Sequence, residues 1–249
     1  YTSAAVQLGV VYNYLPLMIL PLYVALERLD PKLLEASRDL GGTVWSREAC
    51  ADLQRFVEGA GMPVGCAFRC QDLFDNRSDC YAGDIGIGVN PKLAQRVKDA
   101  DLLLVIGARL GEMTTGGYTL LEVPVPRQKL VHVHAGAEEL GRVYQATLPI
   151  NSNYEEFVLA LSKLKTPSWT EQTRSARDDY LAWNKTIPMP GALHYGEVIA
   201  WLSQNLPEDA IVTNGAGNFA SWLHRHFQYR GWQGGWRSQL APTSGSMGY

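Results

Sequence analysis

Asp101-Leu-Leu-Leu-Val-Ile-Gly107 constrains this chain most: a short continuous apolar run closed by glycine. Such a run suits a strand buried on both faces, as a parallel sheet requires. Before it, Pro91 to Ala100 alternates Leu93, Ala94 and Val97 against Lys92, Gln95 and Lys98, which predicts a helix. Asn90 is placed to cap it, and Pro91 suits a first turn where no N–H is needed. Lys129-Leu-Val-His-Val-His134 reads as a second strand. Strand–crossover–strand order predicts an α/β fold with a parallel, doubly wound domain whose sites lie at the carboxyl ends of the strands. Those ends are Gly107–Gly111 and His134–Gly136.

The flanking elements follow from caps and breakers. Ser46 caps a predicted helix over 47–60 with Ala49, Leu53, Phe56 and Val57 as its apolar stripe, and Gly61-Met-Pro stops it. Val64 to Phe68 reads as a small-residue strand, and Asp72 to Gly88 as a long loop rich in Asp, Asn and Gly. Helices are predicted over 137–144, 154–164 and, inside a polar connector, 171–183. Pro188-Met-Pro-Gly191 marks a boundary. Beyond it a second, incomplete α/β unit is predicted: helix 195–206, strand 209–213, a glycine turn at Asn214-Gly-Ala-Gly-Asn-Phe219 and helix 220–227.

Across 249 residues, 46% hydrophobic and 19% charged content is globular, and a net charge of −3 leaves no electrostatic footprint for nucleic acid. Cys50, Cys66, Cys70 and Cys80 lack C-x-x-C spacing; a metal site or disulfide stays open beside reduced thiols. His132 and His134 share one face at strand spacing without a third ligand, so they read as hydrogen-bonded polar residues, as do His224 and His226. The chain begins at Tyr1 and ends at Tyr249 inside a glycine-rich run, which predicts a fragment.

Ala4 to Leu26 carries no charge and, as a helix, would span roughly 34 Å at ~1.5 Å per residue, enough for a bilayer core. Gln7, Asn13, Pro16 and Pro21 leave a buried core helix as the alternative. Tyr14 to Tyr23, with Leu26 to Gly42 after it, resembles binding-protein-dependent ABC transporter permeases of the polyamine type. That resemblance, confined to residues 1–43, implies an inner-membrane segment and a coupling helix for an ABC ATPase subunit, carried by Glu35, Ala36, Ser37 and Gly41.

The remainder points elsewhere. Phe68–Asn76, Tyr81–Gly86, Asp101–Gly111, Asn214–Phe219 and Gly245–Gly248 together resemble thiamine-diphosphate enzymes of the acetolactate-synthase-like family. The resemblance implies a cytoplasmic central domain (44–166), a linker (167–191) and the start of a diphosphate-binding domain (192–249). It implies that Gly217, Asn218 and Phe219 contact the cofactor diphosphate, that the Gly245 carbonyl meets the aminopyrimidine, and that Met247 bends the cofactor; core packing is the other reading of Met247. It also implies carboligation or decarboxylation of 2-oxo acids, Mg²⁺, and a homodimer or tetramer. FAD or another nucleotide could lie by Gly107, Ala108 and Arg109, with a solvated or salt-bridged arginine as the alternative. The family's glutamate domain and Mg²⁺ segment are not in this sequence, so the chain alone is expected to be inactive. A permease component and a non-catalytic nucleotide-binding or structural domain stand as alternative functions. Gly41 to Trp45 fits both families, which predicts a join there.

Overall fold

The computed structural model describes residues 45–215, 217–232 and 237–240. The chain divides after residue 44, and the description concerns the part that follows. The predicted membrane segment and its Glu35, Ala36 and Gly41 motif lie outside the described residues, as do Gly245 and Met247.

Helix α1 spans Arg47–Ala60. The Ser46 hydroxyl accepts from the Ala49 N–H at 3.1 Å, and Gly61 ends the helix at φ +60°, with the Gly61 and Met62 N–H groups donating to Glu58 and Val57. Strand β1 is Val64–Ala67 and β2 is Tyr81–Ile85, paired in parallel. Helix α2, Pro91–Asp99, has Asn90 as its cap, accepting from the Lys92 N–H at 3.0 Å. Strands β3 (Leu102–Ile106), β4 (Lys129–His134) and β5 (Leu148–Asn151) form a parallel sheet in that order. Helix α3 is Tyr154–Leu161, α4 is Thr170–Asn184 and α5 is Tyr195–Asn205. Strand β6 (Val212–Thr213), helix α6 (Ala220–His226) and strand β7 (Gln239–Leu240) complete the α/β order, with β6 parallel to β7.

Three expectations are corrected, and one strand, β5, is new. The loop over 72–88 contains β2, whose Tyr81, Ala82, Gly83 and Asp84 are buried; packing overrides the poor strand propensity of Gly and Asp. The helix over 137–144 is a single 3₁₀ turn, Ala137–Glu139, because the chain takes φ +77° at Gly141. Strand β5 carries Pro149, tolerable because β5 lies at a sheet edge. The strands at Val64 and Leu103 belong to separately hydrogen-bonded sheets among the described residues, not to one. Strand β3 is therefore an edge: Leu102 is 53% exposed, while Leu130 and Val133 on central β4 are fully buried.

Helix α4 covers β2. Its buried Arg177 donates to the carbonyls of Asn76 (2.9 Å), Arg77 (3.0 Å) and Tyr81 (3.2 Å), and lies over the Tyr180 ring. One apolar cluster joins Val57, Phe74, Tyr81 and Tyr180; a second gathers Ile199, Leu223, Phe227 and Tyr229.

Candidate functional site

Two strand ends carry the predicted residues. At β3, the chain turns through Gly107 at φ +72°. A Cβ there would stand 2.8 Å from the Tyr154 ring and 3.0 Å from Trp45 Nε1, and those two rings stack at 4.9 Å. Close aromatic packing thus explains this glycine. Next to it, His132 Nε2–H donates to the Ala108 carbonyl at 3.0 Å; burial pushes the His132 pKa down, which keeps the ring neutral. His134 Nδ1 accepts from the Gly136 N–H at 3.0 Å. Both rings are hydrogen-bonded, as the sequence predicts.

Arg109 borders a cavity of about 200 Å³ that Arg142, Glu139, His132 and Tyr144 also line. Glu139 Oε1 stands 3.4 Å from Arg109 Nε and 2.9 Å from an Arg142 terminal nitrogen. The Tyr144 hydroxyl is buried without a hydrogen-bond partner. These residues do not fit a flavin: the cavity is below the ~300–1,000 Å³ of ordinary ligand pockets, a carboxylate already holds both arginines, and aromatic rings cover the Gly107 turn.

At β6, the second site is the turn before α6. A Cβ on Gly217 would stand 2.6 Å from the edge of the Phe219 ring, so a side chain there requires that half-exposed ring to move. The carbonyls of Gly217, Asn218 and Phe219 accept from the N–H groups of Ala220, Ser221 and Trp222 at 2.9, 3.2 and 3.1 Å. Asn214 Nδ2 donates to Gly215, yet its Oδ1 is buried with no partner. Glycine at 217 leaves the backbone of this turn open to close approach, whereas the orphaned Asn214 Oδ1 calls for a hydrogen-bond donor, which a diphosphate does not supply.

Sequence reasoning missed the most highly bonded cluster. Asp72, 1% exposed, accepts from Arg237 Nε (2.8 Å) and a terminal guanidinium nitrogen (2.7 Å), and from the Ser238 (2.8 Å) and Gln239 (3.0 Å) N–H groups. The Gln71 N–H donates to the Gln239 side chain at 2.8 Å, and Gln239 Nε2 returns a bond to Gln71 Oε1 at 2.9 Å. Asn76 bonds the Tyr229 backbone through both its own N–H (2.9 Å) and its Oδ1 (3.0 Å). The signal was present: Gln-Asp-Leu-Phe-Asp-Asn mixes amides and acids with large apolar residues, unlike a solvated loop.

All four cysteines are free; burial raises their thiol pKa values, that of Cys50 to about 12, and no metal-binding group occurs among the described residues. His226 donates from Nδ1 to the Asn184 carbonyl at 2.8 Å. His224 departs from the expected satisfied histidine: its Nε2 is buried without a partner, its ring set edge-on to Phe68 at 5.5 Å.

Residues 40–161 match the family model described as "Thiamine pyrophosphate enzyme, central domain". The matched stretch is thiamine-diphosphate-enzyme-like. The chain is 24% identical to the acetolactate synthase isozyme 2 large subunit of Escherichia coli (strain K12) over 191 residues, 76% of this chain and 34% of that protein. It is 30% identical to the probable acetolactate synthase 2, chloroplastic, of Oryza sativa subsp. japonica over 193 residues, 72% of this chain and 28% of the relative. It is also 59% identical over 120 residues, 48% of this chain and 40% of the relative, to the spermidine/putrescine transport system permease protein PotB of Haemophilus influenzae. The chain spans about a third of the length of the acetolactate synthases it matches. Among the described residues no helix is long and apolar enough to cross a membrane.

Proposed function

We propose that residues 44–249 supply the central domain and the start of the diphosphate-binding domain of a thiamine-diphosphate enzyme acting on 2-oxo acids by carboligation or decarboxylation. The observation that carries this is the match of residues 40–161 to that enzyme's central domain, followed in the chain by the glycine turn at Gly217 between β6 and α6. In this reading Gly217, Asn218 and Phe219 offer backbone to the diphosphate, with Mg²⁺ as its counter-ion, in a cytoplasmic homodimer or tetramer. Bound thiamine diphosphate supplies an electron sink for the carbon bond being broken or made. The protein's own share here is to hold a short polar turn rigid, through the bonds from α6 to the three carbonyls. Gly245 and Met247 keep their proposed roles at the aminopyrimidine and at the cofactor's bend.

Titration of the chain with thiamine diphosphate and MgCl₂, followed by tryptophan fluorescence, tests this. A weak change in the wild type, saturating only well above micromolar cofactor and lost in Gly217→Val, supports the reading; micromolar binding by the chain alone, or a variant that binds equally, counts against it.

We propose a second reading for residues 1–43, a permease segment at the inner membrane whose Glu35, Ala36 and Gly41 engage an ABC ATPase subunit; the chain's match to a permease protein over 120 residues supports it in part. Partition of that segment, fused to a soluble reporter, into membranes is its test; a wholly soluble reporter defeats it.

A further inference from the structure

The cavity at the ends of β3 and β4 has an unusual division of exposure. Arg109 and Arg142 have side chains 72% and 65% exposed, whereas the Glu139 side chain between them is only 8% exposed. Ordinary surface ion pairs leave both partners in water. Here the acid is tucked in, and one oxygen, Oε1, serves both guanidinium groups. Its position is set by backbone: the Glu139 N–H donates to Gly136 at 3.1 Å, and the Leu140 N–H closes the turn on Ala137 at 3.2 Å. The same cavity is lined by Tyr144, a residue 2% exposed whose hydroxyl has no hydrogen-bond partner.

Each guanidinium has five N–H donors in a fork that matches phosphate or carboxylate, and Glu139 uses few of them. An anion reaching those forks would come within a few ångströms of the Glu139 carboxylate, and like charges at that separation repel. We propose that Glu139 is a resident anion, which fills the arginine pair at the cavity and so excludes phosphate-bearing ligands. Glu139 is then the specificity-determining residue of the cavity, and its charge, not the lack of donors, keeps the cavity free of phosphate. Removing that charge creates a site for one phosphate group, held by Arg109 and Arg142 at the cavity that Tyr144 also lines.

Isothermal titration of the full chain with inorganic phosphate and with ADP tests this. Wild type should show no saturable binding of either probe, and Glu139→Gln should bind both at least about tenfold more tightly. The gain should vanish in Glu139→Gln combined with Arg142→Met. Glu138→Gln, the same charge change on the exposed neighbour, should produce no gain. Wild-type affinity equal to that of Glu139→Gln, an equal gain from Glu138→Gln, or a gain that survives in the double variant would overturn the proposal. If thermal melting shows Glu139→Gln to be unfolded, Glu139→Met removes the charge and keeps the buried methylenes; it should show the same gain, and its failure to do so would equally count against the idea.

Discussion

Of the arginine–carboxylate clusters among the described residues, those at Asp72 and Glu139 differ in almost every physical respect. At Asp72 the acid is buried, both oxygens are used, the arginine approaches through two nitrogens, and two backbone N–H groups complete the set. At Glu139 one oxygen meets two largely exposed arginines beside a cavity. In the first the buried acid accepts four hydrogen bonds; in the second the exposed arginines have donors to spare. Counting unused hydrogen-bonding capacity, more than counting charges, therefore separates a structural ion pair from one that can be put to another use.

The sharpest way to break this contrast is Asp72→Ala. It strands Arg237 and two backbone donors in a mostly buried place, and should cost about 3–5 kcal/mol in urea unfolding. A loss under 1 kcal/mol would put the two clusters in the same class. Asp84→Asn probes a third case, a buried carboxylate whose pKa burial pushes up to about 7. A folded-state pKa raised above the unfolded one costs nothing below pH 4, and the cost grows as pH rises toward 7. The variant should thus be more stable than wild type by roughly 1–3 kcal/mol at pH 8 and equal to it at pH 4; an equal gain at both pH values would show that ionisation is not the cause. Arg237→Lys keeps the charge but loses the two-nitrogen approach to Asp72, with an expected loss of about 1–2 kcal/mol. Smallest of all, Arg142→Met should change stability by less than about 0.5 kcal/mol, as exposed ion pairs do. A larger loss would make the Glu139 cluster structural as well.

The sequence made visible what local rules govern. Ser46 and Asn90 cap their helices, Gly61 ends α1, and the apolar runs at Leu102 and Lys129 are parallel strands. What it hid depends on distant partners. Tyr81-Ala-Gly-Asp-Ile85 has too little intrinsic strand preference to be read alone; it becomes a strand because α4 and the apolar cluster around Tyr180 bury it. Gly107 was legible as a turn at a strand end, but not as the seat of Trp45 and Tyr154, since neither ring is near it in sequence. Arg109 was placed beside a site, and its salt-bridged alternative is the arrangement found; the acid that pairs with it is 30 positions away on a turn that looked helical. Gln71 and Asp72 lie in a stretch that carries the family resemblance, and their partners at 237–239 are out of reach of any periodicity argument.

That last separation sets a timetable for synthesis. Asp72 emerges from a ribosome some 165 residues ahead of Arg237, and Gln71 emerges 168 ahead of Gln239. Until then the segment after β1 holds a carboxylate and an amide whose final neighbours do not exist. Closing so long a loop comes late and slowly in folding. The segment around Asp72 must wait with this corner wet, and the corner can dry only once residues 237–239 have been made.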